Sequence, residues 1–511
     1  MQITDKLREI CARYPSRALF AVPRRVQAAW RLPQAAWTYE ETAATVEALA
    51  RRYRDAGYGP GHRVALLLEN RPQHFFHWLA LNALGASVVP LNPDLRPDET
   101  AYQLAHSESA LVVALSGRVD AASEVAATLG IPVAVDDAAG FPPAARTPAA
   151  AAAAAGEEAE CALLYTSGTT GKPKGCILTN GYFLGFGEWY AAQRGYIALR
   201  DGEERLLQPL PTFHINAMAN SFIGMLFTGG AQVILDRFHP RQWWAEAVET
   251  RATCFHYLGV MPAMLLALPA AAHDRAHDLR FGMGGGVQPA HHAAFEERFG
   301  TRLLEGWAMT ETGGGGIMCA MDEPRHVGGR CIGRPGRAGP PMEARVVDEH
   351  GDDVAPGVPG ELLVRARGPD PRRRFFGGYL KDAEATAAAW AGGWLHTGDI
   401  VRRGEDGSFF FVDRRKNIIR RSGENISAVE VEAALASHPA VRQVGVLAVA
   451  DEIREEEVMA VVALHDPAQA GAALAGALFD HCRERLAYHK APGYVAFVAT
   501  LPTTATQKIR K

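Results

Sequence analysis

Residues 165–175 read YTSGTTGKPKG, a run of hydroxyl side chains, glycines and lysines that follows apolar residues. Glycines let backbone N–H groups approach phosphate oxygens, hydroxyls donate hydrogen bonds, and lysines supply positive charge. A flexible surface loop would explain any one of these residues but not the whole string. The composition therefore indicates a polyphosphate site. Its candidate ligands are Thr166, Ser167, Gly168, Thr169, Thr170 and Lys174.

The spacing of this loop disfavours a P-loop nucleoside triphosphatase. That motif, GxxxxGK[ST], places four residues between its glycines and a hydroxyl residue after the lysine. Here only two residues separate Gly168 from Gly171, and Pro173 follows Lys172. The loop is therefore suited to phosphate but belongs to another class of site.

Further stretches combine glycines with carboxylate, basic or aromatic residues. They are LPTFHINAM (210–218), GMGGGVQP (282–289), GWAMTET (306–312), GGWLHTGDI (392–400), VDRRKNIIRRSGENIS (412–427) and LPTTATQKIRK (501–511). In this order, with the phosphate loop, they resemble the motifs of the adenylate-forming superfamily. That superfamily includes acyl-CoA synthetases, peptide-synthetase adenylation domains and luciferases. The resemblance covers nearly the whole chain and implies an enzyme that joins a carboxylic acid first to AMP and then to a thiol.

The resemblance implies an ATP site built from several of these motifs. The adenine contacts would come from Gly285, Gly286, Trp307 and Met309, where Trp307 replaces the tyrosine usual in the family. Bare glycine backbone allows such close approach of a ligand.

Phosphate and ribose contacts are implied by the same comparison. Thr310 would lie near the α-phosphate and Glu311 would hold Mg²⁺, since a hard cation that bridges phosphates needs a carboxylate. Asp399 would accept hydrogen bonds from the ribose hydroxyls, with Arg414 as a second ribose contact. The cations of DRRKNIIRR could instead form a nucleic-acid patch, but the two isoleucines and the position between domains oppose that interpretation.

The remaining implied roles concern the acid, the thiol and the movement between them. His214 would border the acyl pocket, and Lys508 would reach both the carboxylate and the α-phosphate. Lys416 occupies the family's hinge position, about which the small domain is expected to rotate. Gln507 stands where the family often has glycine. The expected CoA contacts are Ser422, Gly423, Glu424 and Asn425.

The elements that must position these residues follow an α/β pattern. HRVALLLEN (62–70) precedes an amphipathic stretch (73–86) and then a second apolar run (110–116), a βαβ rhythm that predicts a parallel sheet covered by helices. From about residue 340 the pattern predicts antiparallel hairpins, and after about 415 a small α+β unit. We therefore expect a large N-terminal domain over 1–414, with parallel sheets flanked by helices and a β-rich subdomain, and a small mobile C-terminal domain over 415–511.

Composition limits the partners and the compartment. The chain has 511 residues, enough for two or more domains, and a net charge of −4, which provides no basic field for nucleic acid or anionic membrane. Its seven scattered cysteines include no CxxC pair, which indicates reduced thiols. No leader-like or membrane-spanning run is found, so a cytoplasmic protein is expected. The sequence does not indicate an oligomeric state.

These observations predict an ATP-dependent, Mg²⁺-requiring acyl-CoA ligase with CoA as co-substrate. TFHINAMAN and VILDRFHPRQWWAEAVETRAT look most like the crotonobetaine/carnitine-CoA ligase group, which would make the substrate a small polar acid. The alternatives are a ligase for short, medium-chain or aromatic acids, and an enzyme that loads a carrier protein. A non-catalytic nucleotide-binding regulator is a further alternative, although Lys508 would have no use in it. His214 in place of the aspartate of amino-acid-activating relatives, and a chain without a carrier domain, favour a free-standing ligase.

Overall fold

The computed structural model describes residues 1–144, 154–166, 173–336, 341–421, 424–451, 455–503 and 509. The chain forms two compact units. The first comprises Met1–Gly328, Ile332–Ala344 and Val364–Leu395, and the second comprises Gly329–Cys331, Arg345–Leu363 and His396–Lys511.

The first unit contains two largely parallel sheets. The strands of the seven-stranded sheet are β3 (Arg63–Leu67), β4 (Ser87–Pro90), β5 (Leu111–Ala114), β6 (Val133–Val135), β7 (Glu160–Thr166), β8 (Lys174–Thr179) and β18 (Gly378–Tyr379). Their order is β18-β8-β7-β4-β3-β5-β6. Strand β8 runs antiparallel to both β7 and β18, and the other pairs are parallel.

The eight-stranded sheet carries most of the glycine-rich motifs. Its strands are β1 (Ala18–Ala21), β2 (Ala36–Thr38), β9 (Arg205–Gln208), β10 (Ala231–Ile234), β11 (Cys254–Leu258), β12 (Phe281–Gly285), β13 (Arg302–Trp307) and β14 (Met318–Cys319). The order is β14-β13-β12-β11-β9-β10-β1-β2. All neighbours are parallel except the two terminal pairs, β13 with β14 and β1 with β2.

Helices cover these sheets. They are α1 (Ile3–Arg13), α2 (Arg24–Trp30), α3 (Tyr39–Asp55), α4 (Pro72–Ala83), α5 (Pro97–Ser107), α6 (Val119–Ala127), α7 (Asn180–Ala191), α8 (Gly224–Thr228), α9 (Trp243–Glu249), α10 (Val260–Leu266), α11 (Pro289–Phe299) and α12 (Ala383–Ala389). A π-helical segment, Asn216–Ile223, leads directly into α8.

An aromatic cluster joins the two sheets of the first unit. Phe20 of β1, Phe75 of α4 and Phe222 of the π-helical segment pack with ring centroids 4.7–5.6 Å apart. Each aromatic ring buries a large apolar area, so this cluster holds α4, which follows β3, against the eight-stranded sheet. The strands β4 and β5 are buried along their whole length, as expected for parallel strands covered on both faces.

The second unit contains most of a five-stranded sheet and a small α+β layer. The five strands are β15 (Cys331–Gly333), β16 (Met342–Val347), β17 (Pro359–Ala366), β19 (Leu395–Arg403) and β20 (Phe409–Arg414), in the order β15-β20-β19-β17-β16. The C-terminal layer is β21 (Ile418–Arg421), β22 (Glu424–Ser427), α13 (Ala428–Ala436), β23 (Val441–Asp451), β24 (Glu455–Leu464), α14 (Ala472–Arg483) and β25 (Tyr494–Phe497). Val446, Val458, Leu435 and Leu478 belong to its buried core.

The predicted fold class is confirmed: parallel α/β sheets, a β-rich part and a small C-terminal α+β layer all occur. The compact units place residues 396–414 with the C-terminal layer. The predicted boundary at 414–415 concerns which residues move together, and it stays a prediction. Within the described residues, no helix combines the length and the apolar character needed to span a bilayer.

Candidate active site

The carboxyl ends of four neighbouring parallel strands, β9, β11, β12 and β13, meet at one edge of the eight-stranded sheet. In open α/β sheets, ligands bind at this edge. The residues that follow these strands are partly or fully exposed, although the strands themselves are mostly buried. These accessible stretches are 213–216, 258–260, 284–286 and 308–310. Three of the sequence motifs therefore meet at one edge.

The GMGGGVQP turn needs glycines because strand ends crowd there. A Cβ added to Gly259, just after β11, would lie 1.7 Å from the carbonyl oxygen of Gly286, which itself has a φ of +83°. The N–H of Val287 donates to Oε1 of buried Glu305 at 2.7 Å, which fixes the turn against β13. The turn is therefore held in one position. Because Gly285 and Gly286 have no side chains, their backbone is accessible at the edge. Trp307 is buried at the end of β13, and Met309 is partly exposed.

The segment Thr310–Glu311 is held by hydrogen bonds from residues elsewhere in the unit. The Tyr182 hydroxyl donates to the Thr310 carbonyl at 2.8 Å, and the N–H of Phe376 donates to the Glu311 carbonyl at 3.1 Å. The Tyr379 hydroxyl donates to Oε1 of Glu311 at 2.9 Å. Glu311 is 8% exposed, so its carboxylate is both positioned and largely desolvated.

Cys176, on β8, lies beside both Glu311 and Thr166. Its Sγ is 3.9 Å from Oε1 of Glu311 and 3.9 Å from Oγ1 of Thr166. Burial, and then the charge of Glu311, raise the pKa of the Cys176 thiol and of the Tyr379 hydroxyl well above their usual values. Both groups therefore stay protonated and can donate to the carboxylate.

Lys174 is tied to the same strands. Its ammonium lies 4.8 Å from the centre of the Tyr379 ring and 3.9 Å from the carboxylate of Asp382. The other predicted loop ligands, Ser167, Gly168, Thr169 and Thr170, lie outside the described residues. Thr166 and Lys174 are thus the two predicted phosphate ligands whose placement is known, and they pair across β7 and β8.

The LPTFHINAM stretch is anchored by a residue of the other sheet. Asn70, beyond the end of β3, donates to the Leu210 carbonyl at 3.0 Å and accepts from the N–H of Thr212 at 2.8 Å. His214 is partly exposed, with its ring centre 4.7 Å from that of Phe213. Buried Asn70 therefore fixes the approach of His214 to the edge.

Asp399 and Arg414 come together in the second unit. They face each other in the register of β19 and β20, and Nε of Arg414 lies 3.4 Å from Oδ1 of Asp399. The Asp399 side chain is buried, whereas that of Arg414 is half exposed. The two residues predicted to bind ribose are thus neighbours.

Asp413 organises the segment around the predicted hinge. Its Oδ1 accepts from the N–H of Arg414 at 2.7 Å and from Nδ2 of Asn417 at 3.2 Å. Its Oδ2 accepts from the Ser427 hydroxyl at 2.9 Å and the Val429 N–H at 3.0 Å. One buried carboxylate therefore caps α13 and binds residues on both sides of Lys416.

The remaining predicted residues are described in part or not at all. The backbone of Lys416 lies in the 3₁₀ turn Arg415–Asn417, and that of Glu424 and Asn425 lies in β22. Their side chains, together with Ser422, Gly423 and Lys508, lie outside the described residues.

Comparison with known proteins agrees with this architecture. Residues 7–380 match the AMP-binding enzyme family, and residues 430–508 match the AMP-binding enzyme C-terminal domain. A crotonobetaine/carnitine–CoA ligase from Salmonella paratyphi A is 32% identical over 488 residues, which cover 91% of this chain and 90% of that ligase.

Two solved structures show the same fold. The o-succinylbenzoate CoA synthetase of Bacillus subtilis, in complex with its acyl-adenylate intermediate, has 25% identity and a TM-score of 0.82, covering 99% of this chain and 96% of its own. ATP-bound MatB from Rhodopseudomonas palustris, at 24% identity, has a TM-score of 0.82 and covers 100% of this chain and 97% of its own.

The fold and these matches define a nucleotide-dependent α/β ligase. The chain belongs to the AMP-binding enzyme family, and it is an AMP-forming acyl-CoA ligase. It uses ATP to convert a carboxylic acid to an acyl-adenylate and then transfers the acyl group to CoA, with Mg²⁺ as the usual ion. The predicted family, reaction class and cosubstrates are confirmed.

Proposed function

We propose that the sheet edge and Glu311 form the adenylation site. Glu311 would bind Mg²⁺ together with phosphate oxygens, which is the usual pattern for this ion in nucleotide enzymes. Among the described residues, no group of three or more His, Cys, Asp or Glu side chains is placed to hold a metal ion, so substrate oxygens and water would complete the coordination. The observation that supports this role is the buried, hydrogen-bonded position of the Glu311 carboxylate. Bound Mg²⁺ would offset phosphate charge.

The first half-reaction brings two anions together. The carboxylate oxygen attacks the α-phosphorus and forms a new O–P bond. The bond from that phosphorus to the oxygen that bridges the α- and β-phosphates breaks, which releases pyrophosphate. Lys508 would lie between carboxylate and α-phosphate, while Thr166–Thr170 and Lys174 would hold the outer phosphates. Met309 and Trp307 would contact the adenine, and Asp399 and Arg414 the ribose.

The second half-reaction uses the activated carbonyl. The CoA thiol gives up its proton and attacks this carbon, the C–O bond to AMP breaks, and the thioester forms. Rotation of the small domain about Lys416 would withdraw Lys508 and present residues 422–425 to CoA.

We propose a short, polar carboxylic acid as the substrate, such as crotonobetaine or carnitine, for which the Salmonella relative is named. The segment that follows Glu311 packs closely against α7. A Cβ added to Gly314 would lie 2.1 Å from the carbonyl carbon of Gly185, so the segment after Glu311 touches the α7 backbone directly. No side chain larger than hydrogen fits at Gly314, which keeps this segment tight against α7.

A panel of acids tests the substrate. Formation of acyl-CoA from crotonobetaine, carnitine, octanoate and benzoate should give the highest kcat/KM for the two short polar acids, by tenfold or more. Octanoate or benzoate turned over equally well would rule out the short polar substrate.

We also propose that the enzyme works in the cytoplasm. None of the seven cysteines, all within the described residues, forms a disulfide, and six of them are buried, as expected for a reducing compartment. Fractionation of cells, with activity measured in each fraction, tests this location.

A further inference from the structure

A chain of hydrogen bonds lies behind the accessible LPTFHINAM stretch. Nδ1 of His256, on β11, is 3.0 Å from Oδ1 of Asn216 and 2.8 Å from Oγ of Ser221. Nε2 of the same ring is 3.1 Å from the hydroxyl of Tyr190. His256 on β11 and Tyr190 on α7 are fully buried, whereas Asn216 is partly exposed at the ligand-binding edge.

These contacts are compatible with the tautomer of His256 that carries its proton on Nδ1. Burial lowers the pKa of His256 to about 3, so the ring is neutral at physiological pH and carries one proton. Burial also raises the pKa of Tyr190 well above its ordinary value, so its O–H remains and can donate to Nε2. With Tyr190 as donor, the ring proton is on Nδ1, where it faces Oγ of Ser221 at 2.8 Å and Oδ1 of Asn216 at 3.0 Å.

The orientation of Asn216 follows. Its carboxamide oxygen accepts from His256 and, at 3.4 Å, from the Ser221 hydroxyl. The opposite tautomer would place two acceptors 3.0 Å apart. The amide nitrogen makes no hydrogen bond within the described part of the chain, although an amide group has two N–H donors.

We propose that Asn216 is a specificity-determining residue that donates from Nδ2 to an oxygen on the acyl chain. His256 and Tyr190 are positioning residues that set the direction of this amide. The preferred acyl group then carries a hydroxyl, keto or amide oxygen beyond the reacting carboxylate, as carnitine does and crotonobetaine does not. This inference rests on the proposed short polar substrate and specifies which of its groups Asn216 recognises.

Matched pairs of acids isolate this hydrogen bond. Carnitine and 4-trimethylammoniobutyrate differ only in one hydroxyl, as do 3-hydroxybutyrate and butyrate. The wild-type enzyme should prefer the hydroxylated acid in at least one pair, and Asn216→Leu should reduce that ratio of kcat/KM about tenfold, because leucine fills the space without donating. Tyr190→Phe removes the hydroxyl beside Nε2 of His256, so the ring proton is no longer held on Nδ1. We expect this variant to reduce the same kcat/KM ratio a few-fold.

Ser221→Ala serves as the matched control, because of the two hydrogen bonds to Oδ1 of Asn216 it removes only the longer one, at 3.4 Å, and leaves the 3.0 Å bond from His256. Its ratio should stay within about twofold of wild type. A ratio that is unchanged in Asn216→Leu would overturn the proposal, even if overall activity falls, since a structural defect lowers both members of a pair equally. If both betaines are poor substrates while the hydroxybutyrate ratio still depends on Asn216, the betaine substrate is wrong and the role of Asn216 stands.

Discussion

The hydroxyl of Tyr379 lies 2.9 Å from Oε1 of Glu311, and the two residues are 68 positions apart in the chain. Strand β18 pairs with β8 and so brings Tyr379 beside the strand that follows the phosphate loop. A side chain outside every sequence motif therefore orients the carboxylate proposed to bind Mg²⁺.

Replacing Tyr379 with phenylalanine should weaken the use of Mg²⁺ without removing it. Loss of a residue that orients a metal ligand typically costs tenfold to a hundredfold in metal affinity. We expect the Mg²⁺ concentration for half-maximal ATP–pyrophosphate exchange to rise about tenfold. Tyr488→Phe, at a site 63% exposed, is the control and should behave like wild type. Equal Mg²⁺ dependence in both variants would remove Tyr379 from this role.

Lys508→Ala should separate the two half-reactions. An ammonium about 4 Å from an anion contributes about 4 kcal/mol at an effective dielectric near 20, or about a thousandfold in rate. Adenylation should therefore slow by about that factor, while thioester formation from supplied acyl-adenylate is spared. Arg510→Ala, in the same stretch, controls for loss of nearby charge. Equal decreases in both half-reactions would contradict the assigned role.

Lys416→Pro should impair the thiol step. Proline fixes φ near −65°, so a hinge at this position could no longer change conformation. Pyrophosphate exchange should remain largely intact, and the rate at which bound acyl-adenylate reacts with CoA should fall at least tenfold. Arg415→Ala, which alters the neighbouring side chain but leaves φ free, is the comparison. A normal thiol step in Lys416→Pro would argue against rotation about this residue.

The sequence offers candidate site residues only where they are contiguous in a motif. Glu311 and Asp399 were predicted because each lies in a short motif that resembles those of the family, and the structure places both as buried carboxylates beside a hydrogen-bond or ion-pair partner. Tyr379, Asn70 and Asp413 were not identified.

The missed residues act across long sequence separations. Asn70 holds Thr212, 142 positions away, by joining two sheets whose relation the strand pattern does not encode. Asp413 was visible within VDRRKN, but its role depends on the start of α13, which it caps from outside the helix. Periodicity predicts elements and motifs predict ligands, but contacts between sheets depend on packing, which a single sequence does not show.

Acid should destabilise the protein through three buried histidines, His74, His77 and His256. Burial lowers the pKa of His74 to about 3, of His77 to about 4 and of His256 to about 3. An unfolded histidine titrates near 6.5, so below that pH the unfolded chain binds more protons and the folded state loses stability as pH falls. Between pH 6.5 and 5.5 the loss is about 1 kcal/mol for each histidine, or about 3 kcal/mol together. Urea unfolding at these two pH values measures it.

His74→Leu tests the assignment most directly, because Nε2 of His74 is buried with no hydrogen-bond partner among the described residues. Leucine removes the titrating group without breaking a bond at that atom. We expect the difference in unfolding free energy between pH 6.5 and 5.5 to shrink by about 1 kcal/mol. His350→Leu, whose side chain is 76% exposed, should leave the difference unchanged. If His74→Leu retains the full pH dependence, then His74 is protonated in the folded protein, and its burial does not control acid stability.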